Sequence, residues 1–383
     1  MKTGKVQLLK NLRRDILRGH PWVYRKAFEP QADYSESLLV KVLDQKGKFL
    51  AWGMYHPEGP LGLRVLSLES KPPTENFFEN QIQRAFERRT FIDRRLTNAF
   101  RGINGEGDGL PGLVCDLYDK TAVIQFDGSG PEEFWRNYPV VDWVKSTTQA
   151  EVVVSKTRGE FIEEAGHYNP GPNRILENGL QFLVDIEKGQ KTGFFFDQRD
   201  NRDHIRSFSK GLRVMNLFSY TGGFSVYAGA GGASEVLSVD LSAPALELAE
   251  QSWDSHSFKG THQTSAVDIF DMLASDKTTW DMVIVDPPSM AHSEKQKPGA
   301  IAKYIEVFSA AAKRVRPGGH LVLSSCSSHI SFEDFEGIAS ESLSKASLRG
   351  IVRRFSGQGA DHPYAHACPE MRYLKFIHLE LTT

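Results

Sequence analysis

One thiol stands out among the residues able to do chemistry. Cys326 lies in LVLSSCSSHIS (321–331), where the apolar run Leu321-Val322-Leu323 gives way to small polar residues. A thiolate at such a strand end is a nucleophile able to form a covalent intermediate. The alternative is a small buried hydrophobe, a common role for free cysteine. A reactive thiol also needs a lowered pKa or an adjacent base, and His329 is the candidate three residues on. Cys368, in AHACPEM, precedes the last predicted strand, and Cys115 falls far upstream. The second chemical stretch is DMVIVDPPS (281–289), an apolar run closed by Asp286-Pro287-Pro288. The prolines remove backbone donors and stiffen the turn. The Asp286 carboxylate is then held where it can bond an amino group or ring nitrogen of an extruded base; a strand end without a ligand is the alternative.

Three more positions read as contacts to a nucleoside-containing cofactor. In NLFSYTGGFSVYA (216–228), Gly222-Gly223 marks a strand-to-helix turn where a ligand can approach the backbone closely. Asp240 ends VLSVD (236–240), 18 residues after Gly222, and a carboxylate there can accept from both ribose hydroxyls. Asp268 follows HQTSAV (262–267), placed to meet an adenine amino group or to cap the helix IFDMLAS. A nicotinamide oxidoreductase is disfavoured by DPP after the fourth strand and by the absence of GxGxxG after the first.

These residues need a scaffold, and the chain after residue 175 supplies strand–helix alternation. Predicted strands are 213–217, 236–240, 262–267, 281–286 and 320–325, followed by RGIVRRF (349–355) and YLKFIHLE (373–380). The clearest helix, IAKYIEVFSAAAKRVR (301–316), is expected to stop at Pro317-Gly318-Gly319. Repeated βα units predict a mainly parallel sheet with right-handed crossovers, with ligands at the carboxyl ends of its strands. Upstream, residues 1–70 read as a small β-rich domain and KPPT (71–74) as a linker. Residues 75–100 have helical spacing, with Phe78, Ile82, Phe86 and Thr90 along one side. The segment 102–126 reads as a Gly-rich turn and a β-hairpin, without the GK[ST] of a phosphate-binding loop.

Composition narrows the classes. A chain of 383 residues that is 40% hydrophobic and 25% charged is ordinary for a soluble globular protein. The basic start has no apolar h-region and no apolar run approaches a span, so neither a secretory signal nor a membrane partner is expected. Three cysteines without CxxC fit a reducing compartment, and no disulfide framework or metal site is expected. A net charge of −2 excludes a uniformly basic nucleic-acid binder. Local basic segments remain: residues 1–30, including Arg13 and Arg14, and 84–101, with six arginines against Glu87 and Asp93. They suit phosphate contact or a solvated helix face.

The motifs, in order, resemble class I S-adenosylmethionine-dependent methyltransferases. More closely, the chain resembles the bacterial 23S rRNA cytosine-5 methyltransferases with an N-terminal PUA domain, the ribosomal large subunit methyltransferase I-like family. The resemblance covers nearly the whole chain. It is carried by RGHPWVYRKAFE (18–29), GEGDGLPGLVCD (105–116), DIEKGQKTGFFFDQRDNR (185–202), NLFSYTGGFSVYA, VDLS (239–242), DPPS, SCSS (325–328) and ADHPYAHACPEMRYLK (360–375). It implies an α/β fold: a Rossmann-like mixed sheet of seven strands with the last antiparallel, an N-terminal PUA domain (1–70), a central α+β domain (75–172) and a methyltransferase domain (175–383). It implies S-adenosylmethionine as cofactor, surrounded by Gln198, Arg199, Tyr220, Gly222, Asp240 and Asp268.

The implied reaction makes 5-methylcytosine in 23S rRNA in the cytoplasm, with Cys326 as nucleophile facing Asp286. Pro287, Pro288 and His362 would line the base pocket, although a loop-structural role for His362 is equally open, and Arg13 and Arg14 would touch RNA. A homodimer is carried as an open expectation. Ser289 stands where amino-directed relatives place a stacking aromatic, which counts against an exocyclic amine target. Guanine N7, which needs no cysteine, and a non-catalytic cofactor- and RNA-binding protein remain as alternatives.

Overall fold

A computed structural model describes residues 3–29, 34–157, 160–291 and 293–382. The chain divides into two compact units: Met1–Arg94 with Asn98–Pro170 and Ala360–Met371, and Arg95–Thr97 with Gly171–Gly359 and Arg372–Thr383.

The first unit holds two five-stranded sheets. One contains β1 (Thr3–Gln7), β2 (Trp22–Tyr24), β3 (Leu38–Leu43), β4 (Phe49–Tyr55) and β5 (Leu61–Ser67) in the order β1-β3-β4-β5-β2, with helix α1 (Arg13–Leu17) between its first two strands. The other contains β6 (Ala99–Asn104), β7 (Leu113–Tyr118), β8 (Thr121–Phe126), β9 (Val152–Thr157) and β10 (Glu160–Ala165), in reverse chain order. Helix α2 (Glu75–Glu87) precedes it, and α3 (Ser129–Trp135) and α4 (Val140–Thr148) make the crossover that the parallel β8–β9 pair requires. Leu39, Trp52, Met54 and Leu66 of the first sheet share one apolar core with Phe78, Ile82, Phe100 and Trp135.

The helix expected over 75–100 is shorter. Thr74 caps it, accepting from the Phe77 N–H, and it closes at Glu87. Phe78 and Ile82 are buried on one side as the spacing requires, but Thr90 is exposed and β6 has begun by residue 99. The arginines that follow explain the ending. Arg89 is 3% exposed and forks onto both oxygens of buried Asp108 at 2.6 and 2.7 Å. Arg101 grips Asp116, donating to Oδ1 at 2.5 Å and Oδ2 at 3.1 Å, and Arg88 reaches Asp108 at 3.1 Å. Half of the expected basic face is therefore internal ion pairing, with geometry suited to a bidentate guanidinium.

The second unit opens with a hairpin, β11 (Asn173–Glu177) and β12 (Leu180–Val184), then α5 (Arg199–Arg206). Its main sheet contains β13 (Arg213–Leu217), β14 (Glu235–Asp240), β15 (Thr261–Ala266), β16 (Trp280–Val285), β17 (Val315–Ser325), β18 (Arg349–Ser356) and β19 (Lys375–Thr382). The spatial order is β15-β14-β13-β16-β17-β19-β18. Only β19 runs antiparallel to its neighbours, so the seven-stranded mixed sheet has the expected form. The flanking helices are α6 (Gly223–Ala230), α7 (Ala243–Asp254), α8 (Ile269–Ser275), α9 (Lys297–Ala312) and α10 (Phe332–Lys345). Val283, Ile284, Val285, Leu321, Val322 and Leu323 have no exposure, because helices cover both faces of a parallel sheet. Pro317-Gly318-Gly319, expected to stop a helix, instead lies in the irregular start of β17; α9 has already ended at Ala312.

Chain order reverses between β13 and β16, the place where a doubly wound sheet opens a crevice at its carboxyl edge. Asp240, Asp286 and Cys326 sit at the carboxyl ends of β14, β16 and β17.

Candidate active site

The turn after β13 is strained in a way that aims its backbone. Phe218 and Tyr220 take left-handed conformations, with φ of +58° and +47°, and Gly222 follows at +73°. Such conformations in residues with side chains cost about 1–3 kcal/mol each and recur at ligand sites. Asp240 locks the turn: Oδ2 accepts from the Tyr220 N–H and Oδ1 from the Ser242 N–H, both at 2.9 Å. The Tyr220 hydroxyl accepts from the Gln190 N–H at 2.9 Å and donates to the Gly193 carbonyl at 3.3 Å. Gly222 has a tighter constraint than ligand approach, since a Cβ there would lie 2.7 Å from the Ala249 Cβ of α7.

Two buried polar atoms here, Ser219 Oγ and Asn216 Oδ1, lack a hydrogen-bond partner. Unpaired buried acceptors are costly and mark places where a ligand completes the bonding. Both belong to β13 and the turn after it, the turn that the Asp240 carboxylate holds. Asp268 caps α8, its Oδ1 accepting from the Phe270 and Asp271 N–H groups at 2.8 and 3.2 Å. The helix-capping role is thus present.

The reacting end is built by alternation along β17 and the residues after it. Ser325 and Ser327 point into the protein and are fully buried. Ser327 Oγ receives the Met290 and Ala291 N–H groups at 3.0 and 3.3 Å and meets the Tyr304 hydroxyl at 2.9 Å. Ser325 Oγ donates to that hydroxyl at 3.0 Å. These bonds pin the segment after Asp286-Pro287-Pro288 against the end of β17. Cys326, between the two serines, is partly exposed, and its Sγ lies 4.0 Å from the Pro287 carbonyl. Pro287 is buried and Pro288 exposed.

Gln198 connects the cofactor-side stretch to this end. Its Nε2 donates to both Asp286 oxygens at 3.1 Å and to Ser324 Oγ at 3.3 Å, while its Oε1 accepts from Asn201 at 2.7 Å. The structure thus gives Gln198 a contact to Asp286. Arg199 is buried, with Nε 3.5 Å from Asp200.

Burial, reinforced by the Asp197 carboxylate, raises Asp286 to about 7, against the amide of Gln198. Burial also pushes the Cys326 thiol up to about 11; the Lys191 ammonium pulls it down, Asp286 and Asp197 push it further up, and Lys375 opposes them. Lys375 is fully buried and donates to the carbonyls of Ser327 at 2.6 Å and Tyr373 at 2.7 Å; burial brings it down to about 8. His329, the expected neighbouring base, has its Nδ1 3.5 Å from Glu294.

Asp197, Lys191 and Lys375 were not singled out in the sequence. Asp197 accepts from the Tyr373 hydroxyl at 2.7 Å, and Lys191 lies 3.8 Å from Asp197 and 4.7 Å over the Phe195 ring. A signal existed for Lys375: a cation at the head of the apolar run that opens the strand KFIHLELT. The remaining expected contacts belong to the first unit. His362 is buried there with its Nδ1 3.0 Å from Asp361. Arg13 pairs with Asp44 at 3.2 Å, and Arg14 is exposed on α1.

Comparison with known proteins bears on the family and the fold. A family of S-adenosylmethionine-dependent methyltransferases matches residues 142–350, and a PUA-like domain matches residues 6–68. A ribosomal RNA large subunit methyltransferase of Deinococcus radiodurans is 34% identical, with 96% of this chain and 94% of that protein covered. A ribosomal RNA large subunit methyltransferase I of Tolumonas auensis is 33% identical, with 97% of each covered. A solved methyltransferase complexed with SAH shares the fold at a TM-score of 0.88 and 22% identity, over 99% of this chain and all of that one. No helix among the described residues is long and apolar enough to cross a membrane.

Proposed function

The chain belongs to the S-adenosylmethionine-dependent methyltransferase family, and from that premise we propose that it methylates carbon 5 of a cytosine in large-subunit ribosomal RNA, in the cytoplasm, through a covalent bond between Cys326 and the base. S-adenosylmethionine supplies the electrophilic methyl group. The observation that carries the cytosine reading is the pairing of a partly exposed thiol at the end of β17 with a carboxyl group raised to about 7 at the end of β16.

Carbon 5 of cytosine is a weak nucleophile. Addition of the Cys326 sulfur to carbon 6 moves the ring's double-bond electrons onto carbon 5, which can then accept a methyl group. Asp286, being near half-protonated at neutral pH, donates to ring nitrogen 3 as the sulfur adds, and so neutralises charge developing on the ring. A base acting through water then takes the carbon 5 proton, and elimination expels the Cys326 thiolate and restores the double bond. Lys191 and Lys375 favour the thiolate electrostatically. Gln198 holds the Asp286 carboxyl group in place.

Asp240 is proposed to hold the cofactor's ribose. Asp240→Ala should weaken S-adenosylmethionine binding by about 1–3 kcal/mol, as for loss of a charged hydrogen bond. Calorimetric titration with a parallel thermal melt separates this from loosening of the Tyr220 turn. Unchanged affinity removes Asp240 from the ribose contact. The reading as a whole is tested by mass mapping of rRNA from cells with and without the gene. One 5-methylcytidine should disappear from the large-subunit RNA; loss of an N7-methylguanosine instead would overturn the cytosine assignment, and no change would overturn the RNA target.

A further inference from the structure

We infer that His20, Cys368 and Glu370 form a binding site for one zinc-like divalent cation in the first compact unit, apart from the methyl-transfer chemistry. Their ligand atoms (one imidazole nitrogen, the thiol sulfur and one carboxylate oxygen) all lie within 4.8 Å of one another. A tetrahedral site with metal–ligand distances of about 2.0–2.3 Å has ligand atoms about 3.3–3.8 Å apart, so the three must draw together by about 1 Å on binding. The donor set is equally telling. A thiolate, an imidazole and a carboxylate together suit zinc, whereas magnesium and calcium take oxygen donors.

Two separate stretches of backbone position the ligands. His20 stands between α1 and β2, and its Nδ1 lies 3.2 Å from the Trp22 carbonyl and 3.3 Å from the Trp22 N–H. A metal on Nε2 puts the proton on Nδ1, which then donates to the Trp22 carbonyl in exchange for the bond it accepts from the Trp22 N–H. Cys368 is fully buried, and its N–H donates to the Ala365 carbonyl at 2.9 Å. Glu370 follows in the short 3-10 turn Pro369–Met371, so one turn delivers both sulfur and carboxylate.

An access route is also present. A cleft of about 360 Å³ beside the cluster is lined by Asp15, Arg18, His20, His366 and Ala367. Water entering by it completes four-coordination. The sequence offered no spacing signal, because His20 and Cys368 stand near opposite ends of the chain.

The test is direct. Purified full-length chain is titrated with Co²⁺ and then Zn²⁺, and metal content is measured after growth with zinc. The expected result is one metal per chain. Cobalt should show thiolate-to-metal charge transfer in the near ultraviolet with tetrahedral d–d bands, and zinc should bleach both. Cys368→Ser should abolish the charge-transfer band. His20→Gln should weaken zinc by more than about 100-fold, since losing even an outer-shell partner costs 10–100-fold. Cys326→Ser, as a control thiol, should leave the band intact. Absence of the band in the unaltered chain overturns the site without reference to any variant. So does stoichiometric zinc that persists in the His20→Gln/Cys368→Ser double variant while its circular dichroism matches the parent.

Discussion

Replacing Cys326 with alanine should lower methyl transfer by about 10⁴-fold or more, the scale reached when a covalent nucleophile is deleted. The change should be confined to chemistry. Ser325 and Ser327 hold the β17 end through Tyr304, Met290 and Ala291, and none of those bonds uses the sulfur. The thiol's recorded contact is a long one, 4.0 Å to the Pro287 carbonyl. Cofactor affinity and thermal stability should therefore stay near those of the parent. Tritium transfer from labelled S-adenosylmethionine to rRNA measures the loss. RNA carrying 5-fluorocytidine at the target should trap a covalent adduct with the parent and none with the alanine variant. An adduct that persists in Cys326→Ala would move the nucleophile elsewhere, and unchanged turnover would end the cytosine-5 mechanism.

Asp286→Asn should act in two opposite directions. Transfer should fall by about 10²–10⁴-fold, the usual contribution of a positioned acid or base. Stability should rise above neutral pH. The folded-state pKa of Asp286 is raised, from 3.8 to about 7, with burial as the main cause. Such a group favours the folded state fully below its unfolded value and loses that contribution as pH climbs through the folded value. Above pH 7 the parent carries a desolvated carboxylate, which asparagine abolishes while still accepting from Gln198. The shift sets a ceiling of about 4 kcal/mol, and surrounding adjustment reduces the expected gain to about 2 kcal/mol at pH 8. Urea unfolding at pH 4, 6 and 8 should show the variant's advantage growing across that range. An asparagine variant less stable than the parent at pH 8 would mean that Lys191 and Arg202 already offset the charge.

Much of this was visible in the amino acids because a parallel sheet leaves a plain mark. Strands covered on both faces, such as Val283-Ile284-Val285 and Leu321-Val322-Leu323, are unbroken apolar runs, and the polar residues that end them mark the functional edge. The seven strands and the positions of Asp240, Asp286 and Cys326 followed from that. What was hidden depended on pairing across long separations. Arg89 reads as part of a solvated basic face until Asp108 is placed beside it. Nothing in the spacing shows that the Gln198 amide meets Asp286, 88 residues away. Gly222 reads as room for a ligand, yet its missing side chain accommodates Ala249. Spacing reports which face a residue occupies; it does not report which distant group meets it there.

The path of the backbone has a consequence for how such a molecule can be cut or recombined. Ala360–Met371 belongs to the first unit, although the strands on either side of it, β18 and β19, belong to the second, and the short run Arg95–Thr97 makes the converse excursion. Severing the chain near residue 170 would leave the two parts tied by these other crossings. A fragment beginning there would carry Cys368 and its neighbours away from the partners that bury them. The catalytic half is thus not a cassette to be lifted out by truncation, and swapping it between relatives would require carrying both excursions along.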